Sequence, residues 1–119
     1  LLDGLDLVDS FPYTASAQFS NRPELFSTRM DQNGFFSKKE FPLRHSRKWF
    51  IGGLRSPALL CMTDALGQWA LRRAEEGAPQ WATLINVTQA AELEALVEDE
   101  RQKKRLRVDD TTLISLLFA

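Results

Sequence analysis

Two apolar, strand-like runs fix what this chain can fold into: Ala58-Leu59-Leu60-Cys61-Met62 and Leu113-Ile114-Ser115-Leu116-Leu117-Phe118. Each carries carboxylate at one end. Thr63-Asp64 closes the first run and opens a helical pattern, whereas Asp109-Asp110 opens the second through Thr111-Thr112. If the two runs pair in one sheet, Asp64 and Asp109 meet despite their distance in sequence. Strand ends held by a sheet are places where hard divalent cations collect carboxylate oxygens.

Each aspartate also has a plain structural reading. Asp64 stands where a strand becomes a helix, so its side chain can cap the first N–H groups or face a ligand. Asp109 and Asp110 can form a turn before an exposed strand. Neighbouring residues before a strand point to opposite faces, so at most one of these two carboxylates reaches inward.

The remaining pattern places further elements. Apolar Leu66, Trp69, Ala70 and Ala74 predict a helix over 64–76, with Gly77 as its terminating residue. Residues 79–85 read as a short helix with Pro79 in its first turn. A longer helix over about 88–105 carries the stripe Leu93, Leu96, Val97. Glu92, Glu94, Glu98 and Glu100 sit early in it, and Arg101, Lys103, Lys104 and Arg105 late, an order that suits the helix dipole. Lys48–Ile51 and Ala58–Met62, separated by Gly52, Gly53, Ser56 and Pro57, read as an antiparallel pair, the second strand buried on both faces because it never alternates. Turn formers punctuate residues 1–34, leaving strands near 13–19 and 24–29. Residues 35–46 show neither helical nor alternating period and read as a loop or an insertion.

With 119 residues, 44% of them hydrophobic and 26% charged, the chain is one globular unit at most. A net charge of −1 gives no long-range attraction to nucleic acid or anionic membrane. No run approaches the roughly 18 apolar residues of a membrane span, and the start lacks the order of a signal peptide. The single cysteine, Cys61, excludes an internal disulfide and a multi-cysteine zinc site; it reads as a small buried hydrophobe in a protein of the reducing cytoplasm. His45, between basic neighbours, reads as surface. The basic run 101–107 reads as a solvated helix end, with no aromatic interleaved for base stacking. Trp49, Trp69 and Trp81 read as packing residues. The first residue, Leu1, is apolar and is not methionine, and the expectation is that it continues something upstream.

Three segments, taken in order, resemble the C-terminal half of the metal-dependent protein phosphatase 2C family, particularly its bacterial members. Ser10-Phe11-Pro12-Tyr13-Thr14-Ala15-Ser16-Ala17-Gln18-Phe19-Ser20-Asn21-Arg22-Pro23 looks like the segment preceding the core strand. Leu60-Cys61-Met62-Thr63-Asp64-Ala65-Leu66-Gly67-Gln68-Trp69 is similar to the strand, Ser/Thr-Asp-Gly/Ala, helix element, and Arg107-Val108-Asp109-Asp110-Thr111-Thr112-Leu113 to the closing Asp-Asn/Asp-x-Thr strand. Ala65 departs from the Gly of many members, and Asp110 from their Asn.

The resemblance implies an α+β fold, a four-layer α-β-β-α sandwich of two antiparallel sheets, with residues 1–119 as the C-terminal portion of a single domain. It implies two Mn²⁺ or Mg²⁺ ions, Asp64 and Asp109 among their ligands, and a phosphoserine or phosphothreonine protein as substrate. It also implies partnership with the upstream half of the domain, since Asp3-Gly4 does not resemble the family's metal-bridging Asp-Gly segment. The segment alone is then expected to be inactive. The alternative from another class is a non-catalytic phosphatase-like interaction module in signalling.

Overall fold

The computed structural model describes residues 1–19 and 28–119. Among these, four strands form one antiparallel sheet: β1 (Leu2–Asp3), β2 (Asp6–Leu7), β3 (Pro57–Met62) and β4 (Leu113–Leu117), in the order β2-β1-β3-β4. Four α-helices accompany it: α1 (Phe41–His45), α2 (Asp64–Glu75), α3 (Trp81–Ile85) and α4 (Ala90–Gln102). The fold is therefore mixed α and β with a single sheet in the described residues.

The register of β3 and β4 organises the molecule. Ala58 pairs with Leu117, Leu60 with Ser115 and Met62 with Leu113, and of this set Ala58, Leu60, Met62 and Leu113 turn toward the helices, whereas Leu117 at the strand end is exposed. Leu59 opposite Leu116 and Cys61 opposite Ile114 turn the other way, because successive strand residues alternate faces. The inward set packs against a cluster built on Leu2, Leu66, Trp69, Ala70, Leu71, Trp81, Leu84, Val97 and Leu106. On the other face Cys61, Ile114, Leu116 and Phe118 are exposed. The expectation that this strand is buried on both faces is thus corrected, and Cys61 is not a buried hydrophobe. A continuous apolar run cannot distinguish a strand covered twice from one covered once.

Helix α2 agrees with the sequence reading. It ends as expected at Gly77, whose φ of 77° is left-handed, with Ala78 N–H bonded to the Arg73 carbonyl at 2.9 Å. A β-carbon there meets no atom within 4 Å, so Gly77→Ala carries only the backbone penalty. That substitution is expected to lower unfolding stability by about 1 kcal/mol, measured by urea denaturation. Helix α3 begins after Pro79, which stands before the capping residue Gln80 and not inside the first turn. Helix α4 lies within the expected span but is shorter. At its start the Glu92 carboxylate accepts the Thr88 and Gln89 N–H groups at 2.7 and 3.1 Å, so these two residues cap the helix instead of extending it. Past its C-terminus Lys104 takes φ 58°.

Other expectations are corrected. Lys48–Ile51 is not a strand, and β3 pairs with β1 and β4 instead. The indole of Trp49 donates to the Asp9 carboxylate at 2.7 Å, which holds this segment through a side chain and not through a ladder. Around 13–19 a short 3₁₀ turn, Ser16–Gln18, replaces the strand. The Gln18 side chain accepts the N–H groups of Thr14 and Ala15 at 2.7 and 2.9 Å. Glu75 takes the N–H and hydroxyl of Ser16 at 2.7 and 2.6 Å. Side-chain acceptors thus replace a strand neighbour. Of the strand near 24–29, residues 24–27 lie outside the described residues, and 28–29 are not extended into a ladder. The stretch 35–46 is not featureless: a 3₁₀ turn, Gly34–Ser37, leads to α1, where Phe41 and His45 stack at 4.8 Å. Pro42 in the first turn of α1 favours that helix start.

Candidate functional site at the β3–α2 junction

The strand register decides whether the two acidic segments meet. Because Met62 faces Leu113, the next residues, Thr63 and Thr112, face each other as the chain leaves both strands. Thr63 N–H donates to the Thr112 carbonyl at 3.2 Å. The Thr63 hydroxyl accepts Thr112 N–H at 3.0 Å and donates to the Asp110 carbonyl at 3.0 Å. One threonine therefore clamps the segment after Asp109 against the start of α2, and the backbones bearing Asp64 and Asp109 are held side by side.

Thr63 takes the capping position of α2, with extended backbone at φ −67° and ψ 161°, and Asp64 is the first helical residue. The Asp64 side chain is exposed and accepts no hydrogen bond from any described residue. Of its two readings, hydrogen-bonded capping is therefore not the one adopted. Its negative charge suits the helix N-terminus. The carboxylate borders a cavity of about 350 Å³, which Phe19, Trp49, Leu60, Cys61 and Met62 also line.

Asp109 is engaged differently. One carboxylate oxygen accepts the Asp110 N–H at 2.8 Å, and the other lies 3.6 Å from an Arg107 guanidinium nitrogen. The Asp109 carbonyl accepts a hydrogen bond from Arg101. Asp109 does not line the cavity that Asp64 borders. The structure thus brings the two segments together, while the Asp109 carboxylate is turned into its own loop. The guanidinium Nε atoms of Arg101 and Arg107 are buried without an acceptor among the described residues.

As donors, two exposed carboxylates suit a hard cation such as Mn²⁺ or Mg²⁺, which prefers oxygen. The number falls short, since such ions take about six ligands and no group of three or more His, Cys, Asp or Glu side chains is placed to hold one among the described residues. Asp3 does not add to the set: its carboxylate accepts Ser56 N–H at 2.7 Å, which holds it below the ordinary carboxylate range and fixes the turn at Gly4.

Sequence reasoning missed Thr63 as the clamp and gave Arg101 and Arg107 only a solvated role. The signal for Thr63 was its place directly before the first helical residue, where hydroxyl side chains bond neighbouring backbone. Thr63→Val keeps the shape and removes both hydroxyl bonds. It is expected to destabilise the protein by about 1–2 kcal/mol and to shift the amide resonances of Asp109–Thr112 in a ¹⁵N spectrum. Among the described residues no helix is long and apolar enough to cross a membrane. Comparison with known protein families, with characterised proteins and with solved structures finds no match for the chain.

Proposed function

We propose that residues 1–119 form the C-terminal portion of a phosphatase 2C-like domain that hydrolyses phosphoserine and phosphothreonine in proteins, with Asp64 and Asp109 holding Mn²⁺ or Mg²⁺. The observation that carries this reading is the β3–β4 register, which makes Thr63 a bridge between the two aspartate-bearing segments. The exposed outward face of Cys61, Ile114, Leu116 and Phe118 supports a second sheet packed on this one, giving the four-layer sandwich. The lone cysteine supports a reducing, cytoplasmic setting. The remaining metal ligands come from polypeptide outside this chain.

Divalent ions bound there would activate water and neutralise phosphate charge. This chain's own part is to present Asp64 on a rigid strand-to-helix junction, to keep Asp109 beside it through Thr63, and to place guanidinium groups near the anionic substrate. The 3.6 Å separation is a loose ion pair between the exposed Asp109 and the half-buried Arg107, worth at most about 1 kcal/mol. It leaves Asp109 able to turn toward a cation.

The same contact favours a second reading, a phosphatase-like interaction module, in which Asp109 stays with Arg107 and the Asp110 N–H. Calorimetric titration of the complete protein with Mn²⁺ separates the two. The phosphatase reading expects saturable binding that Asp64→Asn and Asp109→Asn each weaken by at least about ten-fold. Binding that neither variant alters contradicts it.

A further inference from the structure

We infer that the segment 30–50 docks on the surface of an anionic lipid bilayer, its exposed apolar side chains entering the headgroup region and its cations meeting the phosphates. Charge is segregated along the chain. Residues 38–48 hold five Lys and Arg against the single Glu40, a net of +4, although the whole chain sums to −1. Of the five, Arg47 is engaged, 3.4 Å from the Asp9 carboxylate. Lys38, Lys39, Arg44 and Lys48 are exposed and form no ion pair with a described residue. The opposite charge on the rest of the chain is screened beyond about 8 Å in physiological salt, so the patch acts locally.

The apolar residues of this segment divide into an inner and an outer set. Phe41 stacks on His45 at 4.8 Å, meets Phe36 edge-on at 4.7 Å and lies 5.9 Å from Phe35, which gives the segment a small core of its own. Phe41 and His45 are four apart on one face of α1, and Leu43, two from each, stands on the opposite face. Leu43 and Met30 are 83% exposed and Phe50 95%; elsewhere among the described residues only Val108, at 87%, is as bare. Single apolar residues scattered on a surface are ordinary, whereas three in one short basic segment mark an interaction site. The root of the segment is anchored: the Trp49 indole bonds Asp9 at 2.7 Å, and the Arg47 guanidinium lies 5.7 Å from the centre of the Phe11 ring. Cations beside apolar tips match the layers of an anionic bilayer, phosphate outside and hydrocarbon beneath. An acidic protein surface satisfies the cations and leaves Leu43 and Phe50 in water.

Co-sedimentation of the complete protein with vesicles of phosphatidylcholine, alone or with about 30% phosphatidylserine, tests the docking. Binding to the anionic vesicles is expected to exceed binding to the neutral ones by at least about 100-fold and to weaken when salt is raised to about 0.5 M. Lys38→Glu with Lys39→Glu is expected to weaken it by about 20-fold or more, and Leu43→Ser with Phe50→Ser by about ten-fold or more. These four side chains are exposed, so the circular dichroism melt is expected to stay unchanged. Val108→Ser, an equally bare position outside the segment, is expected to bind as wild type. No binding, equal binding to both vesicle types, or a loss with Val108→Ser as large as that with the Leu43 and Phe50 pair overturns the inference. So does binding that the charge reversals remove and the serine pair leaves intact, which points to an acidic macromolecule instead. Vesicle binding and metal-dependent hydrolysis are read in separate assays, so either reading can fail without the other.

Discussion

Asp64→Asn in the complete protein is expected to lower metal-dependent hydrolysis of a phosphothreonine peptide by at least about 100-fold, with the fold retained. The side chain is exposed at the start of α2 and accepts no hydrogen bond from a described residue, so its removal takes away no packing. An amide of the same shape keeps the space and loses the charge that a hard cation requires. Some loss of helix stability follows, because a negative charge in the first turn is favourable by about 0.3–1 kcal/mol. Asp109→Asn is expected to act in the same direction, and the two effects combine less than additively if both residues hold one metal centre. Unchanged turnover in either variant removes that residue from the site. A circular dichroism melt on the same samples distinguishes lost chemistry from lost fold.

The second large effect concerns Glu100, the one buried charged residue among those described. Its carboxylate accepts the Trp69 indole N–H at 2.8 Å and two Arg105 guanidinium bonds at 2.7 and 2.6 Å. Arg105 holds the Glu100 pKa down at about 2, against an ordinary 4.5, even though burial acts in the opposite direction. Trp69 is 1% exposed, so no water replaces the acceptor when Glu100 is removed. Glu100→Ala leaves a buried indole N–H unpaired, a guanidinium without its partner and a void beside the core. The expected cost is about 3 kcal/mol, the lower end for breaking a buried pair because Arg105 keeps solvent contact. Guanidinium chloride unfolding at neutral pH measures it.

The same group sets an acid limit. Because its folded pKa is depressed, Glu100 contributes stability fully above pH 4.5 and loses it as the pH falls toward 2. Wild type and Glu100→Gln are therefore expected to draw together in stability as the pH falls from 4.5 and to converge at about pH 2. A constant gap across the range contradicts the assignment.

What was legible in the sequence follows period and punctuation. Helix α2 was readable because Leu66, Trp69 and Ala70 recur at helical spacing and Gly77 supplies the left-handed stop. Strands β3 and β4 were readable as apolar runs, and the positions of Asp64 and Asp109 at their ends followed. The partner of β3 was not readable. Lys48–Ile51 carries as strong a strand signal as Leu2–Asp3, and only the Gly4 turn and the Trp49–Asp9 bond decide between them. The short strands β1 and β2 are two residues each, below the length at which alternation is visible. Glu100 was misassigned to the dipole-favoured start of α4, whereas it lies near the end of that helix and faces inward. A single carboxylate among Glu94, Glu98 and Asp99 gives no sign of which one a distant tryptophan will bind. The candidate site was legible as a pair of aspartates, and the threonine that joins their segments emerged only from the register.

Hydrolysis of a phosphothreonine peptide by the complete protein, assayed with Mn²⁺ and again after chelation, tests the account most directly. Turnover is expected with Mn²⁺, as are its loss on chelation and its return when Mn²⁺ is restored. A folded, Mn²⁺-loaded protein that turns over no phosphoserine or phosphothreonine peptide contradicts the phosphatase reading and leaves the interaction module.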